Sequence, residues 1–151
     1  MKNKSTGFTL IELAVVIVVL GILAATALPR FVNMQVQARQ GKLNGAVGAV
    51  RAASALAHAA CITTTPNCTS PLNMDGANIT MVNTYPTADN AGIIAASQIS
   101  ATDYTMTGGG AAGGSTITIS VPGSATCSFT YQSPAAANTA PTIAIVSNAC
   151  T

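Results

Sequence analysis

The sequence predicts an α+β protein: a long N-terminal α-helix, membrane-spanning in its first half, packed on a small antiparallel β-sheet domain. Three observations predict it. Phe8–Leu28 is almost entirely apolar. Helical spacing of apolar residues continues beyond Pro29. After Cys61 the chain turns to Thr, Asn, Ser, Pro and Gly, with short runs that alternate apolar and polar.

The apolar run comes first. As a helix, Phe8–Leu28 spans about 31 Å at ~1.5 Å per residue, the thickness of a bilayer's hydrocarbon core. Two simple readings are a permanent anchor and a cleaved secretory signal, the latter with Lys2 and Lys4 as its basic start and Ala25-Thr26-Ala27 as its cleavage site. Glu12 fits neither well. A charge inside a bilayer costs roughly 2.5–3.5 kcal/mol on insertion scales. Cleavage between Gly7 and Phe8 would change that, because it creates an α-amine four residues before Glu12. A buried carboxylate is tolerable beside such a cation. Phe8 and Glu12 are i, i+4 neighbours, so the pair could form within one chain or between copies.

The second half of the helix follows. Val32, Val36, Leu43, Val47, Val50 and Ala57 recur at steps of three or four or their multiples. One helix from about Phe8 to about Ala60 accounts for both halves, the first buried in lipid or other helices and the second amphipathic. Pro29 lacks an N–H and kinks or opens a helix, and Gly21 adds a second soft point. Gly41, Gly45 and Gly48 lie on or near one face, and close helix contact or packing on the sheet would each explain them. His58 is read as a residue near the helix C-terminus, where positive charge is favourable.

The β region begins at Cys61. Ile79–Asn83 is a strand candidate and Ala88–Ser97 a brief helix or turn. Thr116–Val121 alternates clearly, with Ile117, Ile119 and Val121 on one face. Pro122-Gly123 signals a turn. Cys127, Phe129 and Tyr131 alternate in the next run, so a hairpin is expected. Thr142–Val146 supplies a further strand. Thr107–Ser115, TGGGAAGGS, reads as an exposed flexible loop.

Four cysteines, Cys61, Cys68, Cys127 and Cys150, all follow the apolar segment. None has C-x-x-C spacing and there is one histidine, so a zinc site is not expected. An even count beyond a membrane-targeting segment points to disulfides in an oxidising compartment. Three pairings are possible. Cys61–Cys68 and Cys127–Cys150 are favoured because each closes a local loop.

Charge excludes several functions. Only 7% of residues are charged, and all six Lys and Arg lie in the first 51 residues. The rest of the chain holds Asp75, Asp89 and Asp103 alone, a poor surface for nucleic acid. Scattered acids and one histidine offer no base–nucleophile pair, and no phosphate-binding Gly-x-x-x-x-Gly-Lys loop is present. No enzyme activity, cofactor or metal is expected.

The stretch GFTLIEL at Gly7–Leu13 resembles the class III signal of type IV pilins and pseudopilins. The likeness extends through FTLIELAVVIVVLGILAATALPRF and includes Gly21 and Pro29. The following helix is similar to the mannose-sensitive haemagglutinin subgroup of type IVa pilins. The resemblance implies removal of residues 1–7 by a prepilin peptidase, N-methylation of Phe8, and an assembly charge pair between Glu12 and the Phe8 amine of a neighbouring subunit. It implies local flexibility at Gly21 and Pro29, a C-terminal disulfide loop, an N-in orientation and no catalysis. The expected organisation is a leader at 1–7, a transmembrane and assembly helix at 8–28, an amphipathic helix at 29–60 and a β-rich domain at 61–151.

The expected function is the major subunit of a type IV pilus, for adhesion, motility or surface interaction. It would reside in the inner membrane before assembly and then in an extracellular filament. Its partners would be copies of itself, the peptidase, the membrane and the inner-membrane assembly machinery. The alternatives are a type II secretion pseudopilin and a minor pilin with a DNA- or ligand-binding tip.

Overall fold

Helix α1 runs from Leu10 to Thr64 in the computed structural model, which describes residues 8–64, 68, 70–124 and 126–151. It ends four residues beyond the expected Ala60, since Ala, Cys, Ile and Thr at 60–64 contain no breaker. Its backbone is helical without a break through Gly21 and Pro29. By contacts the chain divides into two units, one ending at Gln35 and one comprising Val36–Thr151.

In the second unit, α1 buries one stripe. Leu43, Ala46, Val47, Val50, Ala53, Ser54, Ala57 and Cys61 are buried, at steps of three and four. This is the periodicity of a helix with one face on a core. Gly41, Gly45 and Gly48 lie off that stripe, and a Cβ at any of them would meet nothing within 4 Å. Packing on the sheet therefore does not explain them.

The main sheet has four antiparallel strands in the order β5 (Thr105–Gly108), β6 (Thr116–Ser120), β7 (Cys127–Gln132) and β8 (Thr142–Asn148). Ile117 and Ile119 of β6, Val121 just beyond it, and Cys127, Phe129 and Tyr131 of β7 all face the core. There they join Leu43, Ala46, Val47 and Val50 of α1. The turn between β6 and β7 carries Pro122 followed by Gly123 at φ 82°, and Ser124 N donates to Val121 O at 3.3 Å. Pro then a positive-φ Gly is the type II arrangement. A register shift lies between Ser128 and Phe129 against β8, where Val146 is skipped.

A smaller cluster joins Ala57 and Cys61 to Leu72, Ile79 and Met81. It seats two hairpins, β1 (Leu72–Met74) with β2 (Ala77–Ile79), and β3 (Met81–Val82) with β4 (Tyr85–Pro86). The strand expected at Ile79–Asn83 is thus divided. Ile79 ends β2, Met81 begins β3, and Asn83-Thr84 is the turn of the second hairpin, both residues at positive φ.

Ala88–Ser97 is a kinked helical segment, Asn90–Ile94 followed by α2 at Ala95–Ser97. Asp89 holds it: Oδ1 accepts from Gly92 N at 2.7 Å and Thr87 Oγ1 at 2.9 Å. A Cβ at Gly92 would collide with Thr87.

The glycine run at 107–115 is not the loose loop its composition suggests. Thr107 and Gly108 complete β5. Gly109 N donates to Thr116 O and Gly110 N to Ala88 O, each at 2.9 Å, and Gly114 N to Ser133 O at 3.2 Å. Gly109 sits at φ 97° with its Cα beside Ala88 O, a position without room for a side chain. The glycines serve close backbone approach.

Candidate functional site

Two regions carry the candidate residues, the apolar start of α1 and the two disulfides. The helix begins with Thr9-Leu10-Ile11-Glu12. Thr9 N and Thr9 Oγ1 donate to Glu12 Oε2 at 2.9 and 2.7 Å, and Glu12 N donates to Thr9 Oγ1 at 3.3 Å. This is a capping box, in which the N-cap hydroxyl and the N3 carboxylate satisfy one another's backbone N–H groups. The motif Thr-x-x-Glu before an apolar run is a sequence signal for it, and sequence reasoning missed it by treating the acid only as a charge in oil. Glu12 Oε1 makes no hydrogen bond among the described residues.

Beyond the cap, the 18-residue window Leu10–Ala27 is apolar enough to cross a membrane, and none of it is buried within the chain. Leu10 is 87% exposed and Phe8 77%. Phe8, Ile11, Glu12, Val15 and Val16 line an open groove of about 320 Å³. An apolar surface of this size is stable only against lipid or other apolar helices. Asn33–Thr64 passes the same length-and-composition test, but 39% of it is buried. Thr26 Oγ1 donates to Leu23 O at 3.0 Å, so this hydroxyl does not enter the apolar surroundings unpaired.

Gly7 lies outside the described residues, as do Lys2 and Lys4. A Cβ at Gly21 would meet nothing within 4 Å. At Pro29 only the helical backbone is described.

The structure pairs Cys61 with Cys68 and Cys127 with Cys150. The first clips the end of α1 to the segment entering β1. The second joins β7 to the residues after β8. Cys61, Cys127 and Cys150 are fully buried.

Two basic residues of α1 find partners in their own domain. Arg39 Nη1 donates to Cys150 O at 3.4 Å. Lys42 Nζ lies 3.4 Å from Asp103 Oδ1 and 4.8 Å from the centroid of Tyr104. Both are tied to the domain. His58 does not lie in the last turn of α1. Its ring stacks on Tyr85 at 4.1 Å between centroids, and Nδ1 is 3.0 Å from Thr84 O. It braces the β3–β4 turn, where two residues at positive φ need holding.

Tyr131 is the largest fully buried side chain. Its hydroxyl donates to Pro86 O at 2.8 Å, linking the main sheet to β4. Burial pushes its phenol well above the ordinary tyrosine range. Burial and the neighbouring Asp103 carboxylate push Tyr104 up as well.

Residues 2–28 match the family described as the prokaryotic N-terminal methylation motif. The chain is 37% identical over 107 residues to the type IV narrow pilus major component PilA5 of Thermus thermophilus, covering 71% of this chain and 90% of that protein. It is 40% identical over 53 residues to the type IV major fimbrial protein FimA of Dichelobacter nodosus, 35% of this chain and 34% of that one. To the type II secretion system core protein G of Pseudomonas aeruginosa it is 42% identical over 52 residues, 34% of this chain and 37% of the other. No solved structure matches.

Proposed function

Because the chain belongs to the type IV pilin family, we propose that it is the major structural subunit of a type IV pilus. It is made as a precursor, cut between Gly7 and Phe8 by a prepilin peptidase and N-methylated at Phe8. It waits in the inner membrane through the first half of α1. Assembly machinery then transfers it into an extracellular filament of identical copies. Its role is structural, with no catalytic step.

The observation that carries this reading is the uncovered apolar helix Leu10–Ala27 with one acid at its start. In the membrane, lipid covers it. In a filament, the same segments of neighbouring copies cover it. Glu12 suits both states. Thr9 satisfies Oε2 within the chain, which lowers the cost of an isolated carboxylate. Oε1 remains for the Phe8 amine of a neighbour. That pairing rewards correct axial offset, since a misplaced copy leaves both charges alone.

The likeness to a type II secretion core protein, though short, supports a pseudopilin as the second reading. A hard-cation site in the β domain would need several oxygen ligands. Its acids are Asp75, Asp89 and Asp103, of which Asp89 caps the kinked segment and Asp103 pairs with Lys42.

Electron microscopy of filaments sheared from cells tests the proposal, together with N-terminal mass analysis of their subunit. Filaments whose subunit begins at methylated Phe8 are expected. A soluble product beginning at Leu28 would overturn it.

A further inference from the structure

Within Val36–Thr151 most charged side chains are engaged by their own domain. Lys42 meets Asp103, Arg39 reaches Cys150 O, and Asp89 holds Gly92 N and Thr87 Oγ1. Arg51 and Asp75 differ. Both are exposed, and neither has an ion pair or side-chain hydrogen bond among the described residues.

Their surroundings differ as well. Arg51 stands at the start of an outward stripe of α1 comprising Ala52, Ala55, Leu56, Ala59 and Ile62, all exposed. Leu56 is 63% exposed and Ile62 57%. Asp75 stands at the tip of the β1–β2 hairpin, in a turn it forms with Gly76, both at positive φ. Exposed Ala77 flanks it.

We propose that these are the two halves of one contact between copies: Arg51 and the Leu56–Ile62 stripe of one copy receive the Asp75 hairpin of the next. The inference rests on the filament reading. Charge complementarity selects a second copy as the occupant, because the chain itself carries the matching charge on a separate surface. The two halves differ, so the contact is heterologous. Heterologous contacts repeat along an open helix when they do not close into a ring. A self-complementary contact through the same stripe would set Arg51 against Arg51.

The packing of the hairpin sets the axial offset that the contact requires. The hairpin bearing Asp75 packs through Leu72 and Ile79 at Ala57 and Cys61. Those residues lie about 9–15 Å along α1 from Arg51, at ~1.5 Å per residue. A neighbour displaced along the helix by about that distance brings its hairpin to Arg51. The apolar stripe then supplies the burial, and the ion pair supplies register.

Charge exchange tests this in cells expressing the full chain, with filament yield measured after shearing and normalised to subunit in the membrane. Arg51→Glu and Asp75→Arg should each reduce yield at least fivefold, and the double variant should regain at least half of it. Arg51→Cys with Asp75→Cys should give a ladder of disulfide-linked multimers upon oxidation of filaments, reversed by dithiothreitol. Normal yield from either single charge variant, no rescue in the double, or no ladder overturns the contact while leaving the filament reading intact. No filaments from the unaltered chain overturns both.

Discussion

Glu12→Gln separates the two tasks assigned to this carboxylate. Glutamine at the third helical position still completes a capping box. Its side-chain oxygen can accept from Thr9 N as Glu12 Oε2 does at 2.9 Å. The helix start therefore loses no more than a few tenths of a kcal/mol of the ~1 kcal/mol a cap is worth. The charge, however, is gone. A neighbour's Phe8 amine then enters an apolar bundle unpaired, and removing one member of a buried pair costs about 3–5 kcal/mol. At ~1.4 kcal/mol per tenfold, the association constant between copies falls by roughly 10²–10³ or more. Thr9→Val is the complementary change: it keeps the charge and removes the hydroxyl bonded to Glu12 at 2.7 Å. It should cost the helix start about 1 kcal/mol and leave most filaments intact. The assay is sheared-filament yield by quantitative immunoblot, with membrane insertion and leader removal measured alongside. Processed, membrane-bound Glu12→Gln subunit with filament yield below a hundredth of normal is expected. Normal yield from this variant refutes the charge argument and leaves the capping box as the residue's whole role.

Replacing Cys127 and Cys150 together by Ala should destabilise the domain by about 3.4 kcal/mol, from closure of a loop with separation 23. The Cys61–Cys68 pair closes a loop with separation 7 and should cost less, about 2.4 kcal/mol; denaturant unfolding in detergent compares them. Gly45→Ala should raise helix stability by about 1 kcal/mol, since nothing lies within 4 Å of the new Cβ. Gly92→Ala should lower stability by roughly 1–3 kcal/mol because its Cβ overlaps Thr87, and thermal unfolding should give opposite shifts for the two. Above the ordinary tyrosine value of 10.0 the unfolded chain releases the Tyr131 proton while the folded chain retains it. Stability is therefore complete below that pH and falls above it, by about 1.4 kcal/mol at pH 11. Tyr131→Phe should remove most of that loss in an alkaline unfolding series.

Elements whose residues repeat a single period were legible in the sequence. The buried stripe Leu43, Val47, Val50, Ala57 and the alternation Ile117, Ile119, Val121 each follow from one rule of side-chain direction. The β6–β7 turn was legible because Pro-Gly fixes two backbone angles locally. What failed were elements that only distant partners define. Strand β5, Thr105–Gly108, has one large apolar residue, Met106, too few to show an alternation, and forms because β6 pairs with it through Met106↔Ile119 and Gly108↔Ile117. The glycines after it are fixed by Ala88 and Ser133, far away in sequence. His58 was misread for the same reason. Its environment is Thr84, 26 residues on, and Tyr85 beside it, and no helix-end rule contains them.

The candidate site divides along a different line. Glu12 could be singled out from sequence because a charge in an apolar run violates a solvation rule whatever surrounds it. Its bond to Thr9 is just as local, three residues away, yet the same solvation argument hid it by asking only where a cation might be. The two answers are compatible because a carboxylate has two oxygens. Oε2 is occupied by the helix's own first turn, and Oε1 makes no bond among the described residues. An acid satisfied on one side can wait in a membrane and still gain from a neighbour's amine. A residue with no internal partner would cost more to insert, and one already neutralised by a cation of its own chain would gain less from a neighbour's amine.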